Sequence, residues 1–352
     1  MLERSSIVNS ISNSLIQRRL SGTQPFLSLK RKINTKKNRG GLMTVCVAAI
    51  YESNSIVGVS DRMLTSGDDI EFQPEQSKLY EITRSMVAMI SGDMALQTEI
   101  YLELLKSVKA RIDAKPNEWL PVQFVAEDYG RIYAEIRNRR SCRDFLTPLE
   151  LNHDSFIQRQ QQFHPDIAQQ MTVDLLNYRM PSASVIIAGI DATGAHIYTA
   201  HNGEVTCQNM IGFSCVGAGA SVAQSSFMFQ RYTSKASAAR ALYLVYAAKK
   251  RAEAVAGVGP ETDFFCIGPQ PGTYSGIHTD IIKDVTRIWK QNQDRAEQSW
   301  KKTEKKVDEC INRIFQQTSK PSEQAEPTPV AEVKPEVEKP ATEDPEKGKR
   351  GK

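Results

Sequence analysis

The stretches TVCVAAIYE (44–52) and NSIVGVSD (54–61) decide how this chain folds. Both are rich in Val, Ile and small apolar residues, and Asn54-Ser55, which opens the second stretch, is the predicted turn. Two such runs at this spacing predict a β-hairpin. KLYEI (78–82) and SMVAMIS (85–91) have a similar apolar composition, and Gly92 ends the second of them. We therefore expect a second hairpin close behind the first.

Helix-like and strand-like segments follow in separate blocks. Apolar residues recur at helical spacing over 93–112 and 122–138, whereas 140–181 is polar and Gln-rich and is interpreted as an insertion. The later elements are strands at 184–191, 196–201 and 213–219, helices at 220–232 and 234–257, and a strand at 263–268. Strands and helices that occur in separate blocks predict an α+β fold. Two antiparallel sheets stacked between pairs of helices would account for all the predicted strands and helices.

The two ends of the chain differ from its centre. Residues 1–42 carry nine Lys or Arg and one Glu, and 320–352 hold six of the 16 prolines. Neither end has enough apolar surface to offset the entropy of ordering. The predicted parts are a basic leader (1–43), a main domain (44–280), a peripheral charged helix (281–317) and a disordered tail (318–352).

Composition excludes several function classes. Residues 1–42 hold a charge of +8, so the net charge of +4 leaves −4 on the rest of the chain. The charge of the main domain therefore does not support a nucleic-acid-binding function. A mean hydropathy of −0.42 without an apolar run near 18 residues argues against a membrane span. The six cysteines lack CxxC spacing, which predicts reduced thiols in a cytoplasmic protein. The histidines lack HExxH spacing and no GxxxxGK occurs, so we expect no metal and no cofactor.

Met43 and Thr44 offer a reactive amino terminus. If translation starts at Met43, removal of that methionine leaves Thr44 first. The threonine hydroxyl is then a nucleophile, and its α-amine, with an ordinary pKa of about 7.7–8.0, is a base near neutral pH. An ordinary strand threonine is the alternative, because threonine is favoured in β structure.

Four residues at fixed spacing extend this interpretation. Thr44 opens the first predicted strand, Asp61 closes the second, Lys78 opens the third, and Gly92 separates the fourth strand from the first helix. In order and spacing they resemble the motifs of proteasome β subunits and their bacterial two-component relative, which are N-terminal-nucleophile (Ntn) hydrolases. The resemblance covers about 44–268. It is closest to uncharacterised bacterial proteasome-like proteins that open MTxCIAA and contain SDRML, where this chain has MTVCVAA and SDRML.

The resemblance implies a four-layer αββα sandwich and a threonine-type hydrolase of amide bonds. Thr44 would form an acyl ester, Lys78 would favour its alkoxide, and Asp61 would hold Lys78 and the terminal amine. The Gly92 N–H would bind the oxyanion. The substrate would be a peptide or a small amide and the protein a homo-oligomer, while an ATPase partner is left open.

Other interpretations of the same residues stay open. Asp61 with Arg62 would be a surface ion pair, Lys78 a solvated edge residue and Gly92 a turn. The whole protein would then be a catalytically silent scaffold or binding subunit. A small-amide amidohydrolase of the same fold is a further alternative. Cys46 shares a strand face with Thr44 and is expected in the core.

The chain departs from the family at two loops. GAG at 217–219 replaces the common Gly-Ser-Gly, and GVGPET at 257–262 lacks the family's late Asp and Ser. Ser221 would replace the missing serine only if its loop bends back. Glu261 or Thr262 would cover part of the other role.

The leader is a third departure, because it ends in Leu42-Met43 where family propeptides end in Gly. Self-cleavage before Thr44 is therefore not expected. Either Met43 is the true start, or 1–42 is a leader resembling an organellar transit peptide. In both cases the proposed chemistry needs a free Thr44.

Two further expectations concern stability and assembly. Placing Lys78 in a solvated cavity predicts that Lys78→Ala abolishes turnover at a cost of only about 1–2 kcal/mol in stability. Helices 93–112 and 236–256 carry apolar residues beyond one stripe, which predicts subunit contacts there. These residues are Met94, Tyr101, Tyr243 and Tyr246.

Overall fold

The first predicted hairpin lies inside a five-stranded sheet of the computed structural model, which describes residues 44–66, 70–72 and 77–318. Its strands are β1 (Cys46–Tyr51), β2 (Ser55–Asp61), β3 (Leu64–Ser66), β4 (Ile70–Phe72), β5 (Leu79–Thr83), β6 (Met86–Gly92), β7 (Ala183–Asp191), β8 (Gly194–His201), β9 (Glu204–Cys207), β10 (Phe213–Val216), β11 (Thr262–Ile267) and β12 (Ser275–Gly276). Its α-helices are α1 (Met94–Ala114), α2 (Val122–Phe145), α3 (His153–Arg159), α4 (Pro165–Leu176), α5 (Ala220–Phe229), α6 (Ala238–Ala252) and α7 (Thr279–Thr318).

Two antiparallel sheets contain ten of the described strands. The first sheet has the order β10-β1-β2-β11-β12, and the second has the order β5-β6-β7-β8-β9. Both predicted hairpins are present, as β1–β2 and β5–β6. The predicted α+β class with two antiparallel sheets is therefore confirmed.

The core explains why the central strands are apolar on both faces. Every residue of β2 and β7 is buried, and successive side chains of a strand point to opposite faces, so both faces are covered. One cluster joins the two sheets, with Cys46 and Ile50 from the first and Met89 and Ile186 from the second. The other face of the second sheet packs on α1 and α2, and α6 contacts β1 and β2.

The chain divides into two compact units, one through Val285 and one from Thr286. The strands and α1–α6 belong to the first unit. The charged helix predicted for 281–317 is observed as α7. Within the described ranges no helix is both long and apolar enough to cross a membrane. The predicted leader, and the predicted tail from residue 319 onward, lie outside the described residues.

Several predicted boundaries are corrected. The helix predicted for 122–138 continues to Phe145. The segment 140–181 then forms a 3₁₀ turn, α3 and α4 around a small cluster of its own that includes Leu146 and Phe156. Strands β3, β4, β9 and β12 were not predicted, because each has only two to four residues, too few for a periodic pattern.

Two residues assigned to subunit contacts are used inside the chain. The Tyr246 side chain is 2% exposed and stacks on Phe264 with ring centroids 5.9 Å apart. Tyr101 packs edge-on against Tyr80 at 4.8 Å and donates its hydroxyl to a backbone carbonyl. Tyr246 therefore has no surface left for a subunit contact, so that prediction is wrong for it, whereas the half-buried Tyr101 stays a predicted contact.

Replacement of Gly58 in β2 tests the packing of the first sheet. A Cβ at Gly58 would lie 2.2 Å from Phe265 Cε1, and the fully buried Phe265 ring stacks on Tyr274. We expect Gly58→Ala to lower the free energy of unfolding by about 1–3 kcal/mol through overpacking. Urea unfolding measures this loss. Gly276→Ala is the control, because its Cβ would meet nothing within 4 Å. Equal stability of the two variants would show that Phe265 has room to move.

Candidate active site

The first hairpin brings Thr44 and Asp61 together. Thr44 lies just before β1 and Asp61 ends β2, and antiparallel pairing sets the start of one strand beside the end of the other. The Asp61 N–H donates to the Val45 carbonyl at 3.2 Å, which extends the pairing to this end of the hairpin. The Thr44 hydroxyl donates directly to Asp61 Oδ1.

Lys78 reaches these two residues from the second sheet, where it immediately precedes β5. Its ammonium donates to the Thr44 hydroxyl, to Asp61 Oδ1 at 3.0 Å and to the Met63 carbonyl. These three acceptors use all three N–H groups of a lysine ammonium. Thr44, Asp61 and Lys78 are 2%, 0% and 2% exposed, so the cluster is buried.

The plain structural interpretations of Asp61 and Lys78 are wrong. Arg62 donates its Nε to Asp263 at 2.9 Å, while Asp61 pairs with Lys78. Lys78 is buried rather than solvated. The solvated cavity assumed for Lys78→Ala is therefore also wrong, and we now expect a loss above about 1–2 kcal/mol, because that change leaves the buried Asp61 carboxylate without its counter-ion.

Asp61 is the acceptor on which the cluster converges. In addition to the two side chains above, its Oδ1 accepts from the Val45 N–H at 3.0 Å. Its Oδ2 accepts from the Met63 N–H at 3.1 Å and the Gly259 N–H at 3.0 Å. Hydrogen bonds to a carboxylate are roughly twice as strong as neutral ones. Five donors from four segments of the chain therefore fix the position of this carboxylate.

The Thr44 hydroxyl oxygen lies between a carboxylate and an ammonium. Asp61 accepts a hydrogen bond from the Thr44 hydroxyl, and the Lys78 ammonium donates a hydrogen bond to the oxygen of that hydroxyl. A neighbouring cation favours the anionic form of an oxygen, and the effect is stronger in a site that excludes water. The arrangement can therefore stabilise negative charge on Thr44 Oγ1.

The GAG segment at 217–219 packs against the backbone of Thr44. The Gly219 N–H donates to the Thr44 carbonyl at 3.2 Å. Gly217 has a φ of +99°, and a Cβ there would lie 2.3 Å from the backbone carbonyl oxygen of Thr44. Ser221 is exposed in the first turn of α5, so its loop does not bend back as a replacement would require.

Gly92 is held by its neighbour across the sheet. It ends β6 with a φ of +105°, and a Cβ there would lie 2.2 Å from the Ser182 carbonyl oxygen. The Cys46 thiol donates to the Ile90 carbonyl at 3.5 Å, two residues from Thr44 on one strand and from Gly92 on the other. This contact sets Gly92 at the same end of the paired sheets as Thr44. Its role toward an oxyanion stays a prediction.

Cys46 itself is a core residue, as predicted. It is fully buried, and desolvation raises the pKa of its thiol to about 12 despite the nearby Lys78 ammonium. A thiol with that pKa is protonated near neutral pH and is not the nucleophile.

Lys249 is the polar residue of this region that sequence analysis missed. Its side chain is 0% exposed, and its ammonium donates to Glu253 at 2.6 Å and to the Gly259 and Pro260 carbonyls at 2.8 Å each. The available signal was position: Lys249 lies four residues after the buried Val245, on the apolar face of α6. A charge on that face of a helix needs a buried partner.

The GVGPET loop contacts the site through its backbone. Gly259 supplies the donor to Asp61, whereas Glu261 is exposed and the Thr262 hydroxyl donates to the Pro260 carbonyl at 3.1 Å. The expectation that Glu261 or Thr262 covers the family's acidic role is therefore wrong.

A second polar cluster, away from Thr44, caps a helix. Asp191 accepts from the Val122 N–H at 2.9 Å and from the Thr193 hydroxyl at 2.6 Å. His196 Nε2 lies 2.7 Å from that hydroxyl. The carboxylate satisfies a free donor at the start of α2, which accounts for the cluster. Across the described ranges no group of His, Cys, Asp and Glu is arranged to hold a metal ion.

Removal of the Asp61 charge tests how strongly the site contributes to stability. We expect Asp61→Asn to cost about 3–5 kcal/mol, because Lys78 then stays buried without its counter-ion. Asp263→Asn is the matched control, since its partner Arg62 is 33% exposed and can be solvated when the carboxylate charge is lost, so we expect a smaller loss there. Urea unfolding of both variants decides the question. Equal losses would mean that the buried pair adds nothing beyond an ordinary ion pair.

Comparison with known proteins adds no relative to this picture. No protein-family model matches the chain. No curated protein matches it either.

Proposed function

We propose that this protein is a threonine-type Ntn hydrolase that cleaves amide bonds, with Thr44 as the nucleophile once it is the amino-terminal residue. The observation that carries the proposal is the buried contact of Thr44 Oγ1 with both Lys78 and Asp61, which come from different sheets. The proposed fold is the proteasome-like αββα sandwich. The face-to-face sheets, with α1 and α2 on one and α6 on the other, support it.

The proposed reaction has two acyl-transfer steps. Thr44 Oγ1 adds to the amide carbonyl carbon, and the hydroxyl proton passes to the free α-amine of Thr44, directly or through water. The C–N bond then breaks, and the departing amine takes that proton and leaves an ester on Thr44. Water adds to the ester with the same α-amine as base, the C–Oγ1 bond breaks, and the acid leaves with the hydroxyl restored.

The chain's own residues have distinct parts in this scheme. The Lys78 ammonium stabilises the negative charge that develops on the attacking oxygen. Asp61 holds Lys78 and the backbone on both sides of the hairpin end. Backbone N–H groups near Gly92 are the proposed oxyanion donors. Peptides are the favoured substrates, and small amides are the alternative within the same chemistry.

A silent scaffold is the second candidate, and a specific observation favours it. The loops where the family has supporting Ser and Asp side chains contribute only backbone groups here, from Gly219 and Gly259. A free amine at Thr44 would then have fewer side-chain partners. The two candidates differ in whether Thr44 reacts.

Labelling of Thr44 separates the two. Protein whose amino terminus is Thr44, verified by mass, is treated with a β-lactone and with a threonine-directed epoxyketone. We expect one adduct per chain on Thr44, none for Thr44→Ala, and slower labelling for Thr44→Ser with the lactone. Thr199→Ala, which removes a threonine hydroxyl bonded to Ser214 elsewhere, should label like the wild type.

The outcomes of this experiment are distinct. An unlabelled wild-type protein with a verified Thr44 terminus contradicts the hydrolase proposal and leaves the scaffold. A labelled protein that cleaves fluorogenic small amides but no peptides identifies the amidohydrolase alternative.

Homo-oligomerisation is part of the proposal and rests on the family resemblance; Leu102 and Ile112 on α1, which are 53% and 41% exposed, are available for such a contact. We expect a mass of more than one chain by size exclusion with light scattering at micromolar concentration. A monomer under these conditions contradicts it.

A further inference from the structure

We propose that Lys249 is a positioning residue of the Thr44 site, which holds the loop 257–260 so that the Gly259 N–H stays bonded to Asp61. The role toward catalysis rests on the proposed function, whereas the hold on the loop does not. Nothing in the reaction scheme above uses Lys249.

The contacts of Lys249 are those of a built anchor rather than of a lysine that happens to be buried. Its ammonium has three N–H groups and three acceptors, namely Glu253 and the carbonyls of Gly259 and Pro260. Two of these acceptors are consecutive backbone groups of one loop, so a single side chain fixes two peptide planes. An ammonium with all its donors used is the arrangement that offsets the cost of burying the charge.

The same loop touches the site on its other side. The Gly259 carbonyl faces Lys249, while the Gly259 N–H donates to Asp61 Oδ2 at 3.0 Å. Asp61 is thus bonded directly to one buried ammonium, that of Lys78, and through a single residue to a second. Because one residue supplies both bonds, displacement of its carbonyl also moves its N–H.

A second contact connects the loop to Thr44. A Cβ at Gly219 would lie 2.8 Å from Ala252 on α6, 3.1 Å from Val258 in the loop and 3.1 Å from Val45. Gly219 in turn donates to the Thr44 carbonyl. The end of α6, the loop and the backbone beside Thr44 therefore pack together without spare space, and a shift of the loop reaches Thr44 by two routes.

The charges around Lys249 keep it an ammonium near neutral pH. Burial lowers its pKa to about 8, while Glu253 and, more weakly, Asp61 act in the opposite direction and Lys250 adds to the lowering. With a pKa of about 8, most of the side chain carries three N–H donors at pH 7. Lys249→Met keeps an unbranched side chain, one atom shorter than that of lysine, but removes all three donors.

The first experiment needs no activity. Hydrogen exchange of the full chain, read at the Gly259 amide, compares the wild type with Lys249→Met. Phe227→Leu is a control for lost stability, because Phe227 is fully buried and packs on Phe213 and Tyr232 at the other end of β1. We expect at least about tenfold faster exchange at Gly259 in Lys249→Met and no change in Phe227→Leu under native conditions. Unchanged exchange in Lys249→Met overturns the proposal, whatever the fate of the hydrolase.

The second experiment tests positioning. Thr44 acylation by the β-lactone is resolved into the affinity for the lactone and the maximal rate of acylation. We expect Lys249→Met to lower the maximal rate about 10- to 100-fold with the affinity unchanged, and Phe227→Leu to change neither. Lys249→Arg retains the charge and should recover part of the rate.

The arms keep the two proposals apart. Faster exchange with an unchanged acylation rate overturns the positioning role and leaves only a loop anchor. Faster exchange in a protein whose wild type never labels contradicts the hydrolase and supports the hold of Lys249 on the loop. If Lys249→Met does not fold, Lys249→Arg decides instead. A planar guanidinium cannot reproduce the three contacts of the ammonium, so we expect faster exchange at Gly259 and a rate below that of the wild type, and exchange equal to the wild type overturns the proposal.

Discussion

A buried ammonium–carboxylate pair, Lys78 with Asp61, joins the two sheets at one end of the core. Taking both charges out of water costs several kcal/mol per ion, and the attraction offsets this only if the remaining donors and acceptors are satisfied. Here the ammonium has three acceptors and the carboxylate five donors. The position of β5 relative to the first hairpin is therefore constrained by polar chemistry as well as by apolar packing.

This constraint makes the proposed reactive group part of the structural core. The Thr44 hydroxyl is one of the five donors to Asp61, so the same bonds that stabilise the buried pair orient the oxygen. A one-residue slip of β1 against β2 would turn Thr44 to the opposite face and remove one donor. The register of the hairpin is thus fixed twice, once by the apolar cluster between the sheets and once by this polar end.

Sequence patterns predicted the parts of the site that depend on local order. Thr44 and Asp61 meet because they are the two ends of one hairpin, and a hairpin is visible in two short apolar runs separated by a turn. Lys78 required more, because only its position before the second hairpin, together with the family resemblance, placed it near them. Its burial was predicted wrongly, since no local pattern distinguishes a lysine at a solvated strand edge from one between sheets. The helices within 140–181 were not predicted either, because the small apolar cluster that stabilises them depends on contacts between short helices.

Lys249 and Gly259 lay beyond prediction for a different reason. A sequence motif identifies a donor by its side chain. Gly259 contributes a backbone N–H, which every residue except proline carries. Such a donor has no rotamer to order, so its position depends on the loop that carries it and not on a side chain. What the bond to Asp61 requires is therefore a fixed loop, and not a particular residue type at the donor position. In this chain the loop is held by a lysine ten residues earlier, whose only mark in the sequence is a charge on the apolar face of a helix.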